Sequence, residues 1–305
     1  MRAAPADRDA RTPVGSSAAT TRFAPYLDIT QGKPTLAEVA RTTGQRSFTL
    51  AFVIATGNRC TPSWGGVFPL NDQRILQEVR SLRALGGDVA VSSGGADGPY
   101  LERVCGSAGS LAAAYGKALD AVGSNQLDVD IESDVPVERL NRAVAGLQRD
   151  GGTAVRYTVR VTDSEAGIEP VAVEALRSAA DHGVDVTVNP MVMNFPFTAD
   201  WGEAMVGAAR ATHRQMKSVW PDRSDAELYR MLGVTAMIGR NDSGMTTTLR
   251  NARTLLRFVR SRHLGYVGFW SVGRDNGDCP RTRRATDGCS GIAQSRYEFT
   301  RLFRA

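Results

Sequence analysis

The sequence predicts an α/β fold of one architecture, a single (β/α)8 TIM barrel, on three observations. Eight short runs rich in β-branched residues recur along the chain, amphipathic stretches of helical period separate them, and no Gly-x-Gly-x-x-Gly follows the first run. Alternation of this kind is the mark of parallel strands covered by helices. Eight strands close into a barrel, and the missing glycine motif counts against an open dinucleotide-binding sheet.

Strands are expected at 23–29, 48–55, 88–92, 127–131, 155–161, 184–193, 234–238 and 266–271. Helices are expected at 72–84, 111–122, 136–147, 170–180, 204–219, 225–231 and 248–259. The first of these carries Ile75, Leu76, Val79 and Leu82 on one face. Pro136 and Pro170 suit a first helical turn, where a missing N–H leaves no bond unmade, and Asp225 is placed to cap its helix. No solenoid-length repeat, low-complexity insert or interdomain linker is visible, so residues 22–305 form one domain. Residues 1–21, rich in Ala, Arg, Pro, Ser and Thr, are expected to form a disordered tail.

The 305 residues are 42% hydrophobic and 23% charged, ordinary values for a globular domain, and no apolar run is long enough to span a membrane. The net charge of +5 comes from arginines spread along the chain, without the basic and aromatic clusters of a nucleic-acid binder. Neither nucleic acid nor membrane is therefore expected as a partner. Cys60, Cys105, Cys279 and Cys289 contain no Cys-x-x-Cys pair and the three His are scattered, so neither a metal nor another cofactor is expected. Four cysteines allow three pairings. The preferred one joins Cys279 to Cys289 across a short loop and Cys60 to Cys105 across two loops that follow neighbouring strands; four buried free thiols are the alternative. Disulfides imply an oxidising compartment, hence a secreted protein. The start of the chain lacks the apolar stretch of an export signal, which implies either a processed form or another export route.

Polar residues at the C-terminal ends of barrel strands are the first candidates for chemistry. The fourth strand reads Leu127-Asp128-Val129-Asp130-Ile131-Glu132. Period-two alternation sends the apolar residues to the helices and the three acids into the barrel, each about 7 Å from the next. Inward carboxylates without cations repel one another and lose hydration, which is a poor way to build a core. The same repulsion keeps one of them protonated near neutral pH. Glu132, nearest the mouth, is the natural general acid.

This Asp-x-Asp-x-Glu resembles the signature of glycoside hydrolase family 18, and other segments agree. Ser92-Ser93-Gly94-Gly95 is similar to that family's Ser-x-Gly-Gly motif, Asn189-Pro190-Met191-Val192-Met193-Asn194 to its sixth strand, and Phe269-Trp270-Ser271 to its eighth. Cys60-Thr61-Pro62-Ser63-Trp64-Gly65-Gly66 and Met237-Ile238-Gly239-Arg240-Asn241-Asp242 resemble segments of bacterial chitinases of the family, and the likeness runs from about Phe23 to the C-terminus. The resemblance implies a chitinase acting as a monomer on chitin or chitooligosaccharides. Its retaining mechanism uses the substrate's own acetamido oxygen in place of a carboxylate nucleophile. Glu132 would protonate the leaving oxygen, Asp130 would orient the acetamido group, and Asp128 would share a proton with Asp130. Ser92, Gly94, Met191, Met193, Asn194, Phe195, Trp270, Trp64 and Asn241 are the expected substrate-binding residues, Trp270 as a stacking floor.

Two departures stand out. Asn194-Phe195 occupies a place where near relatives commonly have Asp-Tyr, which removes a charge and a phenolic hydroxyl, and Asn125 replaces an Asp at the entry of the fourth strand. The competing readings are a non-catalytic chitin-binding protein on the same barrel, and an endo-N-acetylglucosaminidase or lysozyme-like hydrolase.

Overall fold

A computed structural model describes residues 21–197, 199–280 and 282–305. The expected tail, apart from Thr21, lies outside the described residues. All eight expected strands form: β1 (Tyr26–Asp28), β2 (Ser47–Thr56), β3 (Asp88–Gly94), β4 (Gln126–Ile131), β5 (Ala154–Asp163), β6 (Val186–Met191), β7 (Thr235–Met237) and β8 (Tyr266–Trp270). Each pairs in parallel with the next from β1 to β8.

Closure differs from expectation in one respect. The single first strand read from the sequence is broken at Ala24-Pro25. A two-residue strand, Arg22–Phe23, pairs in parallel with β8, and the chain then crosses to pair β1 with β2. Ala24 N still donates to Val267 O at 3.2 Å, while Pro25, which has no N–H, accepts from Thr49 N at 3.0 Å. The residue without a donor sits where the chain changes partners.

Eight helices follow the strands in turn: α1 (Leu36–Thr43), α2 (Gln73–Arg83), α3 (Ala108–Val122), α4 (Val137–Gly151), α5 (Pro170–Asp181), α6 (Trp201–Val219), α7 (Leu249–Arg262) and α8 (Glu298–Arg304). Two further helices, Leu101–Val104 and Asp225–Met231, lie in connections. The sequence did not predict α1 or α8. Each has only two turns, too few to display a period; α1 is set by its Thr35 N-cap and by Gly44 in the left-handed region at its end. Asp225 is not a cap: Ser224 caps that helix and forms a capping box with Glu227. A hairpin, Arg59–Trp64 against β2 and Phe68–Pro69 against Arg59–Trp64, occupies a region expected to be loop.

Leu127, Val129 and Ile131 of β4 join Leu111 and Tyr115 of α3 and Leu140 and Val144 of α4 in the main hydrophobic core. The apolar parity of β4 thus faces the helices, as the alternation requires. No helix among the described residues is long and apolar enough to cross a membrane. Cys60 is joined to Cys105 and Cys279 to Cys289, the pairing preferred from the sequence.

The two bridges span 45 and 10 residues of chain. Loop-closure entropy then assigns about 4 kcal/mol to the first and about 3 kcal/mol to the second. Guanidinium unfolding of Cys60→Ser/Cys105→Ser should show the larger loss of stability, and the reverse order against Cys279→Ser/Cys289→Ser would contradict this placement.

Candidate active site

Asp128 lies at the floor of the barrel with no exposed surface. Four side chains satisfy its carboxylate. Arg156 Nε donates to Oδ1 at 2.7 Å and Thr158 Oγ1 to Oδ1 at 2.6 Å; Tyr26 Oη donates to Oδ2 at 2.8 Å and Ser92 Oγ to Oδ2 at 2.6 Å. The expectation of three inward acids without a cation is therefore corrected: β5 sends Arg156 into the barrel to meet the first acid. Asp128 was expected to share a proton with Asp130; its side-chain partners are instead Arg156, Thr158, Tyr26 and Ser92. Ser92, expected against substrate, is itself fully buried and acts on Asp128.

The layer around this pair draws on every strand. β1 supplies Tyr26, β2 Thr49, β3 Ser92, β4 Asp128 and β5 both Arg156 and Thr158. Asn189 of β6 donates to Thr158 Oγ1 and to Thr235 Oγ1 of β7, both at 2.8 Å. The Arg156 guanidinium reaches Thr49 Oγ1 at 3.0 Å and lies 3.9 Å from the ring centre of Tyr266 on β8. A barrel interior is ordinarily filled by branched apolar side chains; here one of its layers is a closed polar network.

Above it, Asp130 is buried, and its Oδ1 has no hydrogen-bond partner. Burial, followed by the negative charges of Glu132 and Asp128, pushes its carboxyl well above the usual range, with Arg156 opposing. Glu132 follows the last residue of β4 and is half-buried. Burial raises its carboxyl as well; Arg160 opposes this, and Asp97, Asp242 and Glu169 add to it. Two neighbouring acids of raised proton affinity at the C-terminal mouth of a barrel are what general acid catalysis near neutral pH requires.

Gly94 and Gly95 bring β3 close to this acid pair. Both have φ near +100°, at 102° and 94°, and a Cβ on Gly94 would overlap the carbonyl oxygen of Asp130. The close approach demanded of Gly94 is thus to the backbone of β4. A Cβ on Gly95 would crowd the ring of Phe52. That ring stacks on Trp270 with centroids 5.6 Å apart and planes 16° apart. Trp270 keeps some exposure and packs with Met191, Met193 and Met237, an apolar cluster separate from the main core.

The structure thus brings together Ser92, Asp128, Asp130, Glu132, Met191, Met193 and Trp270 of the expected site. Three others are elsewhere. Trp64 has no exposed surface and belongs to the main core. Phe195 is 2% exposed and packs against Trp201 at 4.6 Å. Asn241 is buried, donates to the carbonyls of Met237 and Gly239 at 3.0 Å each, and accepts from Asn194 N at 3.3 Å. Trp64 and Phe195 thus fill the main core and Asn241 ties down a loop, none of them more than 2% exposed. Asn194 is exposed, with φ of 61°, a conformation Asn tolerates well. Its Nδ2 donates to Asp242 Oδ2 at 3.0 Å and its Oδ1 accepts from Asp242 N at 2.8 Å. Asn194 thus holds the carboxylate of Asp242 beside it.

Sequence reasoning missed Tyr26, Phe52, Arg156, Thr158 and Asp242. Arg156 and Thr158 were accessible in principle, since they share one parity of β5 while Val155, Tyr157 and Val159 share the other. Phe52 was not, because the register of β2 against β3 shifts between Leu50 and Val53.

The site thus consists of a floor of neutralised charge, an acid pair at the mouth and an indole beside it. No family model matches the sequence. The chain is 32% identical to active domain 2 of a thermostable chitinase from Pyrococcus furiosus, with a TM-score of 0.85 over 92% of this chain and 93% of that one. It is 30% identical over 305 residues to a probable bifunctional chitinase/lysozyme of Escherichia coli (strain K12), and 31% over 276 residues to endochitinase 11 of Metarhizium anisopliae. These alignments cover 92% and 83% of this chain but only 34% and 52% of those proteins, so the chain spans about a third to a half of their length. The chain belongs to glycoside hydrolase family 18.

The raised proton affinity of Asp130 has a stability consequence. A group whose carboxyl is raised on folding adds stability below its unfolded value near 4 and loses it as pH rises through the folded value. Asp130→Asn removes that loss, so its melting temperature should exceed that of the parent increasingly from pH 4 to pH 8. A difference that shrinks over this interval would contradict the assignment.

Proposed function

We propose that this chain hydrolyses β-1,4 linkages between N-acetylglucosamine units of chitin and chitooligosaccharides with retention of configuration, Glu132 serving as general acid and then base. One observation carries the reading: beside a half-buried acid of raised proton affinity, Asp130 keeps a buried oxygen without a partner. Buried acceptors are almost always satisfied, and an orphan one at the mouth of a barrel is explained by a donor that arrives with substrate. An acetamido N–H is such a donor.

In this reading Asp130 takes the N–H and turns the acetamido oxygen toward the anomeric carbon. That oxygen attacks as the glycosidic C–O bond breaks, and the proton of Glu132 passes to the leaving oxygen. The oxazolinium ion formed is offset by the negative charge of Asp130. Water then adds to the anomeric carbon, its proton returns to Glu132, and the acetamido group is released. No carboxylate nucleophile is needed, which agrees with acids carried one above another on a single strand. Trp270 and the three methionines supply an apolar face for the sugar ring.

The retained Glu132 favours an enzyme over a binding protein. We infer that it works as a monomer: among the described residues Val67 is the exposed large hydrophobic side chain, and a stable homodimer needs a broad apolar patch. Export to an oxidising compartment is supported by the two disulfides.

Glu132→Gln should reduce hydrolysis of an N-acetylglucosamine hexamer by at least about 100-fold while binding persists. Near-parental turnover would refute the role. Proton NMR of early products should show the β anomer at the new reducing end, and an initial α anomer would exclude substrate assistance. The alkaline limb of kcat/KM should lie above the ordinary carboxylic range, because burial raises both Asp130 and Glu132. A limb at the value of free glutamic acid would contradict this.

A further inference from the structure

We propose that Arg156 is a positioning residue whose guanidinium fixes Asp128 as a permanent carboxylate, so that the proton moved during turnover is held by Asp130 and Glu132 alone. This deepens the catalytic reading above and rests on it.

The geometry favours the carboxylate, which lies 2.7 Å from the Arg156 guanidinium. Its two oxygens accept four hydrogen bonds, one of them from a guanidinium at 2.7 Å, and no side-chain bond links Asp128 to Asp130. A proton on Asp128 would have to turn one of the hydroxyls from donor to acceptor and weaken the pair with Arg156. Arg156 is itself held from three further sides. Thr49 Oγ1 accepts from its Nη2 at 3.0 Å, the ring of Tyr266 lies 3.9 Å away, and the ring of Tyr26 lies 5.8 Å away. Burial works against the charge of Arg156, yet Asp128, Tyr266 and Tyr26 outweigh it and hold the guanidinium above its ordinary value. Arg22 is the nearby like charge.

Without this cation the negative charge of Asp128 would act unopposed on the residue two positions along the strand. With the cation present, the floor is a closed neutral pair. Asp130 and Glu132 then divide one proton between themselves, which is the state needed when Glu132 donates and Asp130 must be negative toward the forming oxazolinium. The remaining charged or titratable groups facing this pair are Asp97 and Tyr100 after β3, Glu102 behind it, Arg160 on β5, Glu169 before α5 and Asp242 after β7. None of them is substituted when position 156 or 128 is changed.

The test is the pH dependence of kcat/KM on the N-acetylglucosamine hexamer for Arg156→Lys, Arg156→Met and Asp128→Asn. Arg156→Lys keeps the charge and should leave both limbs in place while slowing turnover. Arg156→Met exposes the acid pair to an uncompensated negative charge, and both limbs should rise by on the order of one pH unit. Asp128→Asn leaves an uncompensated cation, and both limbs should fall by a similar amount, which decides the matter even if Arg156→Met does not fold. Limbs that stay put in Asp128→Asn and in any folded Arg156→Met, whatever the loss in rate, would show a purely structural role and overturn the inference. The same displacements can be read without turnover from the 13C carboxyl resonances of Asp130 and Glu132. A wild-type protein that fails to cleave the hexamer therefore counts against the proposed function, while the resonances still decide the role of Arg156.

Discussion

One guanidinium and three hydroxyls neutralise a carboxylate at the centre of a closed barrel, and the rest of the molecule is arranged around that necessity. Asp128 has no contact with solvent and would be strongly unfavourable alone. Its donors come from β1, β3 and β5, and their partners from β2, β6, β7 and β8, so all eight strands must be in register before the network is complete. A partly satisfied network of this kind is worse than an apolar core. Specific barrel closure and the readiness of the site are therefore linked.

The upper part of the ladder follows the opposite rule. Asp128 is fully paired, whereas Asp130 keeps an oxygen without a partner and Glu132 stands half-open at the rim. Over the five residues from Asp128 to Glu132 the acids pass from fully paired to half-open. Such incomplete satisfaction is destabilising, and active sites are where proteins retain it.

Much of this was legible in the sequence, for reasons that lie in geometry. Period-two alternation placed the acids of β4 inward, because its three apolar residues had to meet helices. The barrel was legible from strand count and from the helices between. What escaped has equally physical causes. The exchange of partners at Pro25 depends on pairing across the whole chain, and α1 and α8 are too short to show a period. Trp64, Phe195 and Asn241 were placed at the mouth because the segments carrying them resemble those of chitinases. Those segments also contain the residues that shape loops, and only burial separates the two kinds. The countercharge Arg156 was hidden in a strand read for its apolar residues, although its parity was the inward one. The hydrogen bonds between Asn194 and Asp242 depend on two loops meeting in space.

The proposed mechanism requires an amide-bearing sugar over Asp130 with its glycosidic oxygen at Glu132. Diffraction from crystals of Glu132→Gln grown with an N-acetylglucosamine oligosaccharide tests this most directly. The account predicts one acetamido group with its N–H on Asp130 and its oxygen turned toward the anomeric carbon, the ring resting on Trp270. A saccharide bound away from the mouth, or bound there with its acetamido group pointing away from Asp130, would contradict it.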